Sequence, residues 1–182
     1  MSGRKKITLF VAELLLLLVV VAIVVVWHNF SGLIGKIQFD DQLTSSEAGV
    51  NEDIEESTLL SMGKYTNIAL FGLDNRSSAK YDSGNSDSIM IASINNDTKE
   101  IKIASVYRDT YLNVGADTEG NDIYRKINAA YARGGVKNAV RCLNENLDLN
   151  IVNYVCVDWN ALVEAIDALG GVEIKITDDE VE

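Results

Sequence analysis

The chain has 182 residues, 47% of them apolar, and a formal net charge of −11. A surface this acidic argues against a nucleic acid as partner, because binding to a phosphate backbone depends on clustered Lys and Arg. His28 is the single histidine and the two cysteines form no CxxC motif, which excludes a Ser-His-Asp or Cys-His catalytic set and a zinc site from the rest of the chain.

The N-terminal region has the pattern of a membrane anchor. From Ile7 to Trp27 all but two residues are apolar, and about 20 such residues in a helix span the hydrocarbon core of a bilayer. Basic residues at positions 4–6 predict that the N-terminus is cytoplasmic and the rest extracellular. A cleaved signal peptide is the alternative, but its apolar region is usually about 7–15 residues long and ends in small residues. We therefore predict a cytoplasmic tip at 1–6 and a retained anchor at 7–27, as in a single-pass protein of the cell membrane.

Residues 28–63 are mostly polar and acidic, and they predict an extracellular stalk. Asp and Glu dominate the charged residues from Ser31 to Met62, against the single Lys36. A segment with many charges and few apolar residues does not bury enough surface to fold by itself. We expect this stalk to carry one short helix and to lead into a domain at 64–182.

The remaining sequence predicts a folded α/β domain. Short apolar segments flanked by Gly, Asn and Asp indicate strands, and apolar residues three and four apart indicate helices. The predicted strands are Thr66–Leu73, Ser88–Ile94, Glu100–Val106, Ile151–Val157 and Val172–Ile176. The predicted helices are Ile127–Ala132, Val136–Leu147 and Asn160–Leu169, with an irregular loop before the first of them. A hairpin followed by alternating helices and strands indicates a layered α/β/α domain with a mixed central sheet, preceded by one transmembrane helix.

Cys142 and Cys156 lie in a predicted helix and a predicted strand. The simplest interpretation is that both are small buried apolar residues. A disulfide between them is the alternative in an extracellular domain, and spacing alone does not establish its geometry.

Two loops that follow predicted strands carry charged residues. The first is bracketed by Asp74 and Asp87, and the second contains Arg108 and Asp109 directly after an apolar strand. If the two strands are neighbours, both loops open at the same edge of the sheet, where open α/β sheets place ligands. Carboxylates can hold Mg²⁺ and an arginine can bind a phosphate. The alternative is that the aspartates form turns and that Arg108 and Asp109 form a surface ion pair.

A third candidate is the segment from Lys126 to Ala132, at the start of a predicted helix. Backbone amides at a helix N-terminus can face an anion. The simpler interpretation, which we prefer on sequence alone, is an ordinary amphipathic first turn.

Five segments together resemble the LytR-CpsA-Psr family of bacterial envelope proteins. They occur in the family's order between Tyr65 and Ile176: NIALFGLDNR, NSDSIMIASIN, VYRDTYL, KINAAYARGG and VDWNALVEAIDALGGV. A basic tip followed by one anchor helix is also typical of the family. The family's domain normally continues beyond this point, so we expect residues 64–182 to be its N-terminal portion.

The resemblance implies a Mg²⁺-dependent (or Mn²⁺-dependent) phosphotransferase. Such an enzyme takes an anionic glycopolymer, of teichoic acid or capsular polysaccharide type, from a polyprenyl-pyrophosphate carrier in the membrane and joins it to peptidoglycan. The implied metal-associated carboxylates are Asp74 and Asp87. Arg108 is the implied pyrophosphate-binding arginine, with Asp109 orienting it, and Asp74 or Asp109 is the implied base.

The resemblance also implies phosphate contacts for Arg76 and Lys126. At a third position, Asn85, many family members have an arginine. An amide at this position can still donate a hydrogen bond to substrate, but one positive charge is lost. A non-catalytic regulator of envelope assembly that binds polyprenyl lipid or glycan is therefore the alternative function.

Overall fold

The computed structural model describes residues 3–34, 37–74 and 84–177. The chain divides into two compact units, Met1–Asp41 and Gln42–Glu182. The first unit contains helix α1 (Gly3–Ile34). Its residues Phe10–His28 are long and apolar enough to cross a membrane, since 19 helical residues extend about 28 Å. The helix is consistent with a single-pass membrane protein. A secretory signal sequence would also form an apolar helix at this position.

The second unit contains the remaining elements, and its four-stranded sheet has the order β3-β2-β1-β6. In chain order the elements are α2 (Glu56–Met62), β1 (Tyr65–Leu73), β2 (Ser86–Asn95), β3 (Ile101–Ser105), β4 (Tyr111–Ala116), β5 (Asp122–Lys126), α3 (Asn128–Leu147), β6 (Asn153–Val157) and α4 (Trp159–Ala168). Strand β2 is antiparallel to both β1 and β3, whereas β6 is parallel to β1. The predicted mixed α/β fold and the hairpin within it are confirmed.

One face of the sheet packs against α3. Phe71 and Ile89 are paired across β1 and β2, and both are buried in the same core as Tyr131 and Leu143 of α3. The rings of Phe71 and Tyr131 meet edge to face with their centroids 5.7 Å apart, a favoured arrangement for aromatic pairs. Alternate residues of the strands point to the opposite face, because the side-chain period of a strand is two.

Helix α3 contains both helices that the sequence predicts, joined across a kink. The helical segments meet at a kink where Gly134 and Gly135 leave helical geometry, and Gly135 has φ 66° and ψ −161°. A Cβ atom at Gly134 would lie 2.8 Å from the Cβ of Asn138. The kink thus requires glycine at both positions, and it accounts for the interruption seen in the apolar pattern.

Two predictions from the sequence are wrong. The predicted irregular loop before α3 contains the antiparallel hairpin of β4 and β5. The predicted strand Val172–Ile176 is not a strand, and its residues are exposed. A strand needs a partner for its backbone groups, and no other strand in the described part of the chain pairs with this segment.

The globular unit begins at Gln42, earlier than residue 64, where we place the domain boundary from the sequence. Leu43 and Ala48 belong to the hydrophobic core, and the Leu43 amide donates to the Val152 carbonyl at 3.2 Å. These apolar residues, with Val50 packed against the same core, help to attach this otherwise polar segment to the domain. The short helix expected in the stalk is present as α2.

Asn144 joins this N-terminal segment to α3 and to the residues before β6. Its buried amide donates to the carbonyls of Ala48 and Ile151 at 2.7 and 2.8 Å, and it accepts from the Ile151 amide at 2.9 Å. Three backbone groups are therefore satisfied by one side chain.

Replacing Asn144 with Leu should lower the free energy of unfolding by about 2–4 kcal/mol, because buried polar groups lose their partners. Urea unfolding of the full chain in detergent measures this change. Asn160→Ala, at an exposed position of α4, is the control and should change the free energy by less than about 0.5 kcal/mol. Equal stability of the two variants would refute this role for Asn144.

Glu47 is held by three donors, and its pKa is correspondingly low. Its carboxylate accepts from the amide and hydroxyl of Thr44 at 3.0 and 2.9 Å and contacts the Lys137 ammonium at 3.0 Å. The hydrogen bond from the Thr44 backbone, followed by the contact with Lys137, lowers the pKa of Glu47 from 4.5 to about 2.

Because this pKa is lower in the folded state, ionised Glu47 stabilises the fold above pH 4.5, and that contribution is lost as the pH falls from about 4.5 to about 2. Glu47→Gln should flatten the dependence of stability on pH within this window. An NMR titration of the Glu47 carboxyl carbon measures the pKa directly, and Lys137→Ala should raise it. A midpoint near 4.5 in the unmodified chain would contradict the prediction.

Candidate functional site

The topology brings the predicted site residues to one edge of the sheet. Asp74 follows β1, Asp87 lies near the start of β2, and Arg108 follows β3. From the sequence, both loops were expected at one edge if their strands were neighbours. Strands β1 and β3 are not direct neighbours, but each is antiparallel to β2, which lies between them. Their ends therefore lie at the same edge. The Asp74 amide donates to the Asn85 carbonyl at 3.3 Å.

Arg108 and Asp87 form an ion pair at this edge, with 2.8 Å between the guanidinium and carboxylate. The side chains are 54% and 40% exposed. An ion pair this exposed contributes at most about 1 kcal/mol. A more highly charged anion can therefore attract Arg108 away from Asp87 at little cost, which is the behaviour required of a phosphate-binding arginine.

Asp109 is paired with Lys126 rather than with Arg108. The Lys126 ammonium lies 3.0 Å from the Asp109 carboxylate. Two backbone hydrogen bonds connect the same segments, from the Ile127 amide to the Thr110 carbonyl at 2.8 Å and from the Asn128 amide to the Arg108 carbonyl at 3.2 Å. These bonds fix the backbone of the arginine loop against the start of α3.

The same bonds bear on the third predicted candidate, an anion site at the start of α3. The amides of Ile127 and Asn128 already donate to carbonyl groups, so they are not free to face an anion. Lys126 is the last residue of β5 and not part of the helix. Its contribution to this edge is the charge of its side chain.

An apolar cleft of about 240 Å³ opens beside the two aspartates. Its lining includes Asp74 and Asp87 together with apolar side chains, namely Leu73, Val157, Trp159 and Leu162. Val157 and Trp159 reach this edge because β6 is parallel to β1. The carboxylates of Asp74 and Asp87 thus lie next to an apolar space.

Trp159 is a site residue that the sequence-based reasoning did not identify. Its indole N–H donates to the Asp74 carboxylate at 3.3 Å. The position of Trp159 is fixed by Asp158, whose carboxylate accepts from the Ala161 amide at 2.8 Å and caps α4. The sequence contains a pattern that could have identified this residue. Asp158 comes directly after the predicted strand Ile151–Val157 and can cap a helix, and Trp159 follows it.

Three other predictions, the roles of Arg76 and Asn85 and the metal site, stay predictions. Arg76 lies outside the described residues. Asn85 lies beside the site with its backbone carbonyl bonded to Asp74. Within the described parts of the chain, no group of three or more His, Cys, Asp or Glu residues forms a ready metal site. Asp74 and Asp87 supply two carboxylates to one cleft.

The cysteines are both free, so the structure has no disulfide between them. The Cys142 thiol donates to the Asn113 carbonyl at 3.0 Å. Burial, followed by the negative charge of Glu145, raises the pKa of Cys142 to about 11. The Cys156 sulfur accepts from the Tyr131 hydroxyl at 3.4 Å. Cys142 is therefore an unreactive core residue.

Comparison with known proteins identifies relatives of this chain. It matches the model of the LytR_cpsA_psr family over residues 35–182. Biofilm regulatory protein A of Streptococcus mutans serotype c is 36% identical over 150 residues, which cover 81% of this chain and 35% of that protein. The polyisoprenyl-teichoic acid–peptidoglycan teichoic acid transferase TagV of Bacillus subtilis is 28% identical over 140 residues, covering 77% of this chain and 35% of the transferase.

Solved structures share the fold. YwtF (TagT) with bound octaprenyl pyrophosphate lipid superposes with a TM-score of 0.55 at 25% identity, over 78% of this chain and 52% of that one. Protein gbs0355 of Streptococcus agalactiae superposes with a TM-score of 0.56 at 29% identity, and the match covers 66% of this chain and 42% of that one. The chain thus spans about a third to a half of the length of these relatives. Because the family model covers most of the chain, the protein belongs to the LytR-CpsA-Psr family.

Proposed function

We propose that the protein takes part in transferring an anionic glycopolymer from a polyprenyl-pyrophosphate carrier to peptidoglycan. The observation that carries this proposal is the cleft, in which Asp74 and Asp87 line a mostly apolar space and Arg108 is bonded to Asp87. A polyprenyl pyrophosphate has the same two parts, a charged group and an apolar chain. The named activity of TagV and the lipid bound in the solved TagT structure support the proposal.

Arg108 binds the pyrophosphate in this proposal. Its planar guanidinium can donate two parallel hydrogen bonds to a phosphate. Asp109 acts indirectly, through its ion pair with Lys126 and the backbone bonds that fix the arginine loop. Lys126 and Arg76 are further phosphate contacts, and Asn85 donates a hydrogen bond where many relatives would place a positive charge.

Asp74 and Asp87 fit a Mg²⁺ or Mn²⁺ ion. Both are oxygen ligands on one cleft, and Mg²⁺ is commonly held by one or two carboxylates together with substrate phosphates. Asp87 becomes available as Arg108 turns to the pyrophosphate. When bound, the metal offsets the pyrophosphate charge and polarises a phosphoryl oxygen.

The transfer step itself is displacement at phosphorus. A sugar hydroxyl of peptidoglycan attacks the phosphorus that carries the polymer, the bond from that phosphorus to the bridging oxygen breaks, and polyprenyl phosphate leaves. The proton of the hydroxyl passes to a site carboxylate. That carboxylate is Asp74 or Asp109. Asp74 lines the cleft and accepts from the Trp159 N–H, whereas Asp109 is paired with Lys126. Positioning and electrostatic stabilisation supply most of the catalysis.

The anchor helix has a purpose in this reaction. We propose that it keeps the protein in the cell membrane with its N-terminus in the cytoplasm and the folded unit outside. The carrier lipid lies in the same membrane, and tethering the domain there raises its effective concentration.

The second candidate function is a regulator that binds the same lipid or glycan without turnover. Asn85 favours it, because one phosphate-neutralising charge is absent from the site. The two functions share the binding site and differ in chemistry. Binding of polyprenyl pyrophosphate with no metal-dependent transfer would favour the regulator.

Arg108→Ala should reduce polymer transfer by at least about 100-fold, the usual loss on removing a group that stabilises transition-state charge. Transfer is measured from a lipid-linked polymer to peptidoglycan by the complete protein. Lys102→Ala removes an exposed cation from β3, the strand that precedes Arg108, and should leave transfer unchanged. Near-normal transfer by a folded Arg108→Ala protein would show that Arg108 is not the pyrophosphate-binding residue.

Trp159 should report on metal binding, because its indole is bonded to Asp74. The chain has two tryptophans, so Trp27→Phe leaves Trp159 as the sole source of indole fluorescence. Adding Mg²⁺ should change its emission, and Asp74→Asn should abolish that change. Asp97→Asn, in the exposed turn between β2 and β3, is the control. Emission that does not respond to Mg²⁺ or Mn²⁺ would count against a metal on Asp74.

A further inference from the structure

The outer face of the β4–β5 hairpin carries a pair of exposed tyrosines that the mechanism above does not use. Tyr111 and Tyr124 are 69% and 51% exposed. Their ring planes are inclined by 26° with the centroids 6.1 Å apart. Carbon atoms in full face-to-face contact lie about 3.5–4.0 Å apart, so these rings are displaced sideways and each leaves part of its face open.

The fold of the hairpin explains why both rings point outward. Leu112, Val114 and Ile123 pack on the core, and side chains alternate between the two faces of a strand. Tyr111 is opposite Lys126 in the register of the hairpin. By the same alternation, the outer face also presents Asp122 and Lys126, whose ammonium group is paired with Asp109. No described element covers the rings.

This face is continuous with the proposed site. Tyr111 is three residues beyond Arg108, after a turn closed by the Thr110 amide and the Tyr107 carbonyl at 2.9 Å. On the neighbouring strand, Lys126 lies across from Tyr111 and is bonded to Asp109 at 3.0 Å. The hairpin is thus attached to the arginine loop through both of its strands.

The order of groups along the sheet edge follows the order of the strands, β6, β1, β2 and β3. Trp159, the apolar cleft and the two aspartates come first, and Arg108 follows β3. The tyrosine face belongs to the separate β4–β5 sheet and is joined to this edge through the arginine loop. A carrier lipid bonded to a polymer has the same order: an apolar chain, a pyrophosphate and then sugars.

We infer that Tyr111 and Tyr124 bind sugar residues of the donor polymer next to its pyrophosphate. Sugars present C–H groups on the face of the ring and hydroxyls around the rim. A tyrosine can pack its negative ring face on those C–H groups, and its hydroxyl can bond to the rim. This inference rests on the proposed function.

The size of the face favours a glycan over a protein partner. A tyrosine buries about 150–250 Å² at most, so the pair offers no more than about 500 Å². A stable protein interface needs about 800 Å² from each partner. Two adjacent rings match one or two sugars.

The test compares Tyr111→Ala/Tyr124→Ala with Tyr111→Phe/Tyr124→Phe in the full chain in detergent. The alanine variant should lose at least about tenfold in affinity for soluble teichoic acid chains, or about 1.4 kcal/mol, and the phenylalanine variant should retain most of it. Tyr65→Ala is the control, since Tyr65 is 38% exposed and starts β1 at the opposite edge. Melting temperatures show whether the variants are folded.

Two further probes separate the outcomes. Affinity for polyprenyl pyrophosphate without sugars should be the same in all these variants. Unchanged binding of teichoic acid by the alanine variant, or no binding by the unmodified chain, would overturn the inference. Loss of binding to neutral peptidoglycan fragments alone would assign the face to the acceptor and also overturn it. If the unmodified chain binds teichoic acid but not the lipid, the proposed function fails while the tyrosine face stands.

Discussion

The arrangement of the site depends on the pairing of β1, which is antiparallel to β2 on one side and parallel to β6 on the other. This pairing places the ends of β1, β3 and β6 and the start of β2 at one edge. Asp74, Asp87, Arg108 and Trp159 belong to four different strand ends and lie far apart in the sequence. A change in the direction of any one strand would move its residue to the opposite edge.

The scaffold and the site differ in how firmly they are held. The scaffold relies on buried contacts, such as the edge-to-face packing of Phe71 on Tyr131 and the three hydrogen bonds of Asn144. The site relies on exposed ion pairs, which contribute little to stability. Arg108 and Asp87 can therefore separate without loss of the fold, while the backbone that carries them stays in place.

The site also joins two chemical environments that usually exclude each other. Trp159 contributes to both, because its ring lines the apolar cleft while its N–H bonds to Asp74. Aromatic residues with a polar tip are suited to such boundaries. In a protein whose N-terminal helix can cross a membrane, a boundary of this kind matches an amphipathic ligand that itself resides in the membrane.

The amino-acid sequence by itself determined the features that depend on local pattern. The length of the apolar run defines α1, short apolar segments with flanking turn residues define β1 and β2, alternation defines β3, and the apolar stripe defines α4. The family resemblance also identified Asp74, Asp87 and Arg108 as neighbours before any geometry was known. Each of these conclusions depends either on residues that are close together in the chain or on the order of the family's motifs.

Only the tertiary structure decided which partner each residue has. It paired Arg108 with Asp87, Asp109 with Lys126, and Trp159 with Asp74, over separations of 21, 17 and 85 residues. It also formed the β4–β5 hairpin, left 172–176 unpaired and attached Leu43 to the core. Strand formation and ion pairing depend on what lies across from a residue in space, and the local pattern of a sequence does not contain that information.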